Sequence, residues 1–269
     1  MHIVVCVKQV PDPNVPSSVF QLDENSKKVV LPGRSPVISP YDEQAIEVAL
    51  RLREKSANPN EVKITALTMA DAPTAKMMKN VLALGVDEGV VLDNSDFMGS
   101  DGYATAYSLA AAIQKIGDVD LVLAGRQAAD TDAGIVGIGI AELLGMPAVT
   151  FAKRIDLDGD EARVVRVVGD SEETVGAPLP LVITVSHEIG AVRHPNLRET
   201  MKAGKKPIHY LDPDALEIDA GRIGVAGSRR VVERLYQPVH EVNCEWLVGA
   251  EPVALAKTLA AKLIERKLL

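Results

Sequence analysis

The apolar run at residues 3–7 is continuous and rich in β-branched side chains, which predicts a strand buried on both faces. Residues 20–22 and 28–31 flank the polar stretch Asp23-Glu24-Asn25-Ser26, a hairpin pattern. Over 41–55 the apolar positions Ala45, Val48, Ala49 and Leu52 fall on one helical face. Pro40 sits just before that helix, and Asp42 and Glu43 suit its positive start. Strands follow at 62–69, 89–92, 120–124 and 147–152. They alternate with helices at 73–84, 103–116 and 134–144. Gly85 and Gly145 stop the first and last of these, and Ser100-Asp101 begins the middle one.

Strand–helix alternation over the first 150 or so residues predicts an α/β fold, an open doubly wound parallel sheet with right-handed crossovers. Residues 163–168, 173–175 and 181–185, bounded by Asp156-Leu157-Asp158-Gly159-Asp160 and Asp170-Ser171, read as antiparallel strands added at its edge. The pattern changes after about residue 190. From 193 to 249 only short elements are predicted, at 197–203 and 213–217, although apolar residues from Ile208 to Trp246 are scattered through the stretch. A clear helix returns at 252–266 with Ala256, Leu259, Ala260 and Leu263 in one stripe. The chain therefore divides into an α/β domain, 1–192, and a C-terminal arm, 193–269. The arm packs either on a second subunit or back on its own sheet.

Composition narrows the reading. Hydrophobic residues make up 47% and aromatics only 3%, so the core is aliphatic, as a helix-covered parallel sheet requires. The net charge of −8 argues against nucleic acid, and the basic pairs Lys27-Lys28, Lys205-Lys206 and Arg229-Arg230 read as solvated turns. Cys6, in an apolar run, reads as a buried small hydrophobe, and Cys244 is too distant to share a metal with it. His2, His187, His194, His209 and His240 show no ligand spacing. The first residues lack a basic signal-peptide region, and the apolar runs are too short for a membrane span, so a cytoplasmic protein, not membrane-embedded, is expected.

Ligands of open parallel sheets sit beyond the carboxyl ends of the strands. Four segments fall there: Val7-Lys8-Gln9-Val10-Pro11-Asp12, Ser39-Pro40-Tyr41-Asp42, Thr68-Met69-Ala70-Asp71, and the loop from Gly125 to Gly137. The last is the most informative. Its small residues admit a ligand to the backbone, the following helix offers free N–H groups, and Arg126 adds a bidentate donor, which together suit a phosphate. Asp130 and Asp132 oppose an anion unless they face away, cap backbone N–H groups or meet ribose hydroxyls. A plain strand–helix turn with acidic caps explains the loop as well. There is no dinucleotide fingerprint, P-loop, nucleophile elbow or zinc-protease helix, and no catalytic residue is assigned.

Four motifs in order resemble the β subunits of electron-transfer flavoproteins: Val5-Cys6-Val7-Lys8-Gln9-Val10-Pro11-Asp12, Pro40-Tyr41-Asp42-Glu43-Gln44-Ala45-Ile46-Glu47, Gly125-Arg126-Gln127-Ala128-Ala129-Asp130-Thr131-Asp132, and the segment Leu197-Arg198-Glu199-Thr200-Met201-Lys202-Ala203-Gly204-Lys205-Lys206. The resemblance implies a heterodimer with an α subunit that holds FAD, and an adenine nucleotide on the β subunit. That nucleotide is AMP in ordinary members and a second FAD in electron-bifurcating members, which also bind NADH. It further implies electron exchange with acyl-CoA dehydrogenase-type partners and an arm that wraps the α subunit. The family's nucleotide contacts carry over onto Val7, Lys8, Ser39, Met69, Gly125, Arg126, Gln127, Ala128, Asp130, Thr131, Asp132, Ala133, Gly134, Ile135 and Val136, and its dehydrogenase-recognition loop onto 194–201, with Leu197 as anchor. Gly134, Ile135 and Val136 replace side chains that donate to AMP in ordinary members. Gly99-Ser100-Asp101-Gly102-Tyr103-Ala104-Thr105-Ala106 resembles a bifurcating segment, which adds Asp101 and Thr105 to the contacts. FAD is thereby favoured over AMP at the β site. The alternatives are an NADH-oxidising subunit of a bifurcating complex and a free-standing adenine-nucleotide-binding regulator.

Overall fold

The computed structural model describes residues 1–24, 26–70, 74–238, 244–249 and 251–269. Asn25, Asp71, Pro73 and His240, each used in the reading above, lie outside the described residues. The chain runs β1 (His2–Cys6), β2 (Gln9–Val10), β3 (Gln21–Asp23), β4 (Lys28–Val30), β5 (Val37–Ile38), α1 (Pro40–Lys55), β6 (Lys63–Met69), α2 (Thr74–Leu84), β7 (Glu88–Leu92), α3 (Gly102–Ile116), β8 (Leu121–Gly125) and α4 (Val136–Leu144). It continues through β9 (Ala148–Asp158), β10 (Glu161–Val168), β11 (Ser171–Pro178), β12 (Leu181–Val185), α5 (Leu197–Ala203), β13 (Ile208–Leu211), the single turns α6 (Pro213–Leu216) and α7 (Gly224–Gly227), and α8 (Pro252–Glu265).

Nine of these strands form one sheet in the order β11-β10-β9-β12-β8-β1-β6-β7-β13. From β9 to β13 every neighbouring pair is parallel, and β10 and β11 extend one edge antiparallel. Side chains of β1 alternate between two apolar layers, which is why its run is apolar throughout. Ile3, Val5 and Val7 pack with α1 and α2, while Val4 and Cys6 pack with α3 and α4. Burial makes the Cys6 thiol inert by pushing its pKa up to about 12. The chain moves from β1 to β6 and β7 on one side, then crosses back through α3 to place β8 on the other. The topological switch point therefore lies between β1 and β8.

The structure corrects three expectations. Residues 181–185 are not an edge strand: β12 is parallel and lies between β8 and β9. All five of its residues are buried, and a continuous Leu-Val-Ile-Thr-Val run is the signature of a central strand, whereas order along the chain suggested the edge. Lys206 is not a solvated turn residue, because its ammonium donates to the carbonyls of Leu82 (2.8 Å) and Val86 (2.7 Å) at the end of α2. The helix expected from 134 begins at Val136, since Gly134 at φ +64° still turns the chain.

Contacts divide the chain into two compact units, Met1–Arg234 and Leu235–Leu269. Part of the arm folds back on its own sheet. Ile208 packs against the α1/α2 layer, and Leu211, Leu216, Ile218 and Ile223 join the α3/α4 layer, with β13 closing the sheet beside β7. In the second unit α8 buries no residue, and Trp246 is 85% exposed.

The interior position of β12 predicts a large penalty for thinning it. Ile183→Ala should lower the unfolding free energy by about 2–5 kcal/mol, read from chemical denaturation. An edge strand at that position would lose far less.

Candidate functional site

At the switch point, three segments meet on one carboxylate. Asp42, in the first turn of α1, is 6% exposed. Its Oδ2 accepts the Lys8 N–H just past β1 (2.8 Å), and its Oδ1 accepts the Gly125 N–H at the end of β8 (3.1 Å). The helix comes so close that a Cβ on Gly125 would lie 2.5 Å from Asp42 Oδ1 and 2.7 Å from Tyr41 Cβ. Burial pushes the Asp42 pKa up to about 7, against the pull of the two N–H donors and the Lys8 ammonium. Sequence reasoning gave Asp42 only a helix-start role. The signal for more was its place in one of the four segments expected at this edge.

Ser39, fully buried, donates its N–H to the Lys8 carbonyl (2.9 Å), and its Oγ accepts the Ala129 N–H (3.4 Å). Val7 is buried and donates its N–H to the Leu67 carbonyl (2.8 Å), while Met69 packs into the α3/α4 layer. In the loop after β8 the Ala128 carbonyl accepts the N–H groups of Thr131 (3.3 Å) and Asp132 (2.9 Å). Of the acidic groups that opposed an anion, Asp130 is offset by an ammonium and Asp132 is held by a neutral amide. Asp130 grips the Lys8 ammonium with both oxygens (2.7 and 2.8 Å), and Asp132 Oδ1 accepts from Gln127 Nε2 (2.8 Å). Ala133 is exposed, and Gly134 brings the chain tightly past the Arg126 carbonyl, where a Cβ would lie 3.2 Å away. Ile135 is the N-cap of α4 and offers no side-chain acceptor, so the first N–H groups of the helix, from Val136 on, remain available. Backbone donors beside Lys8 and Arg126 fit a phosphate group.

Asp101 and Thr105 are placed differently. The Asp101 carboxylate caps α3 and is engaged by four backbone N–H groups, those of Tyr103, Ala104, Arg229 and Arg230. Thr105 stands in the first turn, its N–H bonded to the Asp101 carbonyl (2.9 Å). A feature the sequence did not announce surrounds Arg126. Its guanidinium lies 5.7 Å from the Tyr41 ring centre and 5.1 Å from that of Phe151, and it donates to Ser186 Oγ (3.4 Å) beyond β12. Phe151 is turned to it by a positive φ of 59° where β9 shifts register against β12. Recognising β12 as central would have placed Ser186 on this edge.

Leu197 and Met201 project from one face of α5, 78% and 72% exposed. The loop before them is clamped to α1: Arg193 bonds Glu47 Oε2 (2.8 Å) and Glu54, and Arg51 donates to the carbonyls of Ile189 (2.8 Å) and Ala191 (2.6 Å). Among the described residues no His, Cys, Asp and Glu group could hold a metal ion, and no helix is long and apolar enough to cross a membrane.

Fold and site together define a doubly wound α/β protein with a crevice at the β1/β8 switch point, the place where such folds accept ligands. Residues 29–216 match the family described as Electron transfer flavoprotein domain. The chain belongs to the electron transfer flavoprotein family, among its β subunits. It is 35% identical to the Electron transfer flavoprotein subunit beta of Thermoanaerobacterium thermosaccharolyticum, over 93% of each chain. It is 32% identical to the Caffeyl-CoA reductase-Etf complex subunit CarD of Acetobacterium woodii over the whole of both. It is 34% identical to the Acryloyl-CoA reductase electron transfer subunit gamma of Anaerotignum propionicum, over 88% of this chain and 89% of that one.

The buried carboxylate predicts a pH dependence. Because its folded pKa is raised, the folded protein retains a proton that the unfolded chain has released. Asp42 thus favours folding at low pH, and this contribution is lost as pH rises from the ordinary 3.8 to about 7. The stability of Asp42→Asn minus that of the wild type should increase across this window and level off above it. Parallel pH profiles in denaturant titrations would contradict the assignment.

Proposed function

We propose that the chain is the β subunit of a heterodimeric electron-transfer flavoprotein, holding an adenine nucleotide in the β1/β8 crevice and pairing with an α subunit. The observation that carries the nucleotide is the uncapped start of α4, set beside Lys8 and Arg126 in a loop whose own acids are already partnered. Gly134 and the N–H groups from Val136 on would hold the phosphate, Val7, Ser39 and Met69 would border the nucleotide, and Asp42 would keep the walls in register. FAD is favoured over AMP, because Gly134, Ile135 and Val136 stand where ordinary members carry side chains that donate to AMP. A bound flavin supplies the electron-transfer chemistry, and membership in a flavoprotein family supports such a cofactor.

Residues 1–192 form the nucleotide domain in this reading, and 193–269 the recognition loop and the arm. The exposed apolar side chains of Leu235–Leu269 suit the α subunit as their cover. That unit also weighs against a free-standing regulator. Leu197 and Met201, on a loop clamped by Glu47 and Arg193, suit an apolar pocket on an acyl-CoA dehydrogenase-type partner. A cytoplasmic location goes with the free cysteines Cys6 and Cys244. A second reading, the NADH-oxidising subunit of a bifurcating complex, draws on the whole-length similarity to the CarD subunit.

Acid release of nucleotide from the purified heterodimer should yield about two FAD per αβ pair, the stoichiometry of the family's bifurcating kind. One FAD with one AMP would select the AMP reading, and release of a single FAD with no second adenine nucleotide would overturn the crevice assignment. Gly134→Val, which adds a branched side chain at φ +64° beside the Arg126 carbonyl, should remove the second nucleotide. Reduction of the β-bound flavin by NADH would support the bifurcating reading.

Leu197→Ala should slow electron exchange with the dehydrogenase about tenfold or more, a loss of about 1.4 kcal/mol of docking. Flavin content and melting temperature should stay unchanged. Undiminished exchange with a lowered melting temperature would place the docking surface elsewhere.

A further inference from the structure

Tyr103 and Tyr107 stand four residues apart on α3 and share a face. Each carries an arginine from the segment after β13. The Arg229 guanidinium lies 3.5 Å from the Tyr103 ring centre, and that of Arg222 lies 3.9 Å from the Tyr107 ring centre. Arg222 Nη2 also donates to the Tyr103 hydroxyl (2.7 Å), so one ring carries a guanidinium on its face and another at its phenol end. The segment bearing them is fixed independently of these side chains. Asp101 Oδ2 accepts the N–H groups of Arg229 (2.8 Å) and Arg230 (3.0 Å), the Asp101 N–H donates to Ser228 Oγ (2.8 Å), and the Gly224 N–H donates to Ser100 Oγ (3.0 Å).

Among the described residues neither cation is closed into an ion pair with a carboxylate, although the Asp219 charge acts on Arg222 from a distance. The acids alongside are engaged elsewhere, Asp101 by its four backbone donors and Asp219 Oδ1 by the Gly221 N–H (2.8 Å). A guanidinium stacked on a ring keeps its edge N–H donors free, and that planar fork matches phosphate oxygens. Stacking also reduces the side-chain entropy lost on capture, and an anion would relieve the repulsion between two neighbouring cations.

We propose that Arg222 and Arg229, mounted on Tyr107 and Tyr103, form a second anion site that takes the phosphate groups of a small-molecule ligand. It adjoins the crevice, since a Cβ on Gly102 at the α3 start would run into Ile135 Cδ1 at the α4 start, but its donors differ. There the α4 start supplies uncapped backbone donors, whereas here the α3 start is already capped and the donors are side chains.

The test is calorimetric titration of the purified full-length protein, with its bound cofactors, using inorganic pyrophosphate at low ionic strength. Saturable binding of one pyrophosphate per chain is expected. Arg229→Gln should weaken it roughly tenfold or more, because one fork is lost. Lys115→Gln, which removes the same charge at the far end of α3, should change it less than about twofold, the size of a screened long-range charge effect. A melting curve of Arg229→Gln controls for folding. Gly134→Val should leave pyrophosphate binding intact. The proposal is overturned by absence of saturable binding, by equal losses in the Arg229 and Lys115 variants, or by loss on changing Gly134 but not Arg229.

Discussion

The arrangement of the crevice depends on the Asp42 carboxylate. A carboxylate this deeply buried is costly to keep charged, and the two backbone N–H groups it receives come from the ends of the two strands that part at the switch point. It therefore works as a staple across a place where parallel pairing alone would leave the strand ends free to diverge. It also draws α1 against β8 until only glycine fits at position 125. The same helix reaches the loop before α5 one and a half turns later, because Glu47, also buried, takes three hydrogen bonds from Arg193 and one from Arg51. One rigid helix thus sets both the crevice wall and the presentation of Leu197.

Around that staple the charges are arranged by local pairing. The chain carries a net −8, and two of its acids stand on the loop proposed to receive a phosphate. Pairing Asp130 with Lys8 offsets one of these charges, and the Gln127 amide holds the Asp132 carboxylate in place. The two helices on this face then divide the work. Asp101 caps α3 and ties down the 222–230 segment, while α4 opens on Ile135, which cannot cap. An uncapped helix start is a liability in a fold without a ligand and an asset in one with an anionic ligand.

Much of this was legible in the chain. Periodicity located the helices and most strands of the first 150 residues to within a residue or two, since buried parallel strands and amphipathic helices have distinct patterns, but the strand expected at 147–152 runs on to Asp158 and the two-residue strands β2 and β5 went unforeseen. Residues 181–185 were misplaced because their pattern shows burial on both faces, whereas their rank along the chain suggested an edge. β13 was missed because a four-residue strand at the sheet margin, Ile208–Leu211, has too little alternation to register. The crevice segments were identifiable from the rule that ligands bind at carboxyl ends of strands. The Asp130–Lys8 pair joins residues 122 positions apart, and the Arg126–Phe151 contact depends on a register shift, so no local pattern reports either.

The most direct test of the account is amide hydrogen exchange, comparing the nucleotide-loaded protein with protein stripped of nucleotide. The account predicts slowed exchange in loaded protein for peptides covering 7–12 and 126–138, where the crevice walls and the start of α4 lie, with little change in the edge strands β10 and β11. Protection confined to other segments, with exchange at 126–138 unaltered by the nucleotide, would contradict the claim that the β1/β8 switch point is the binding site.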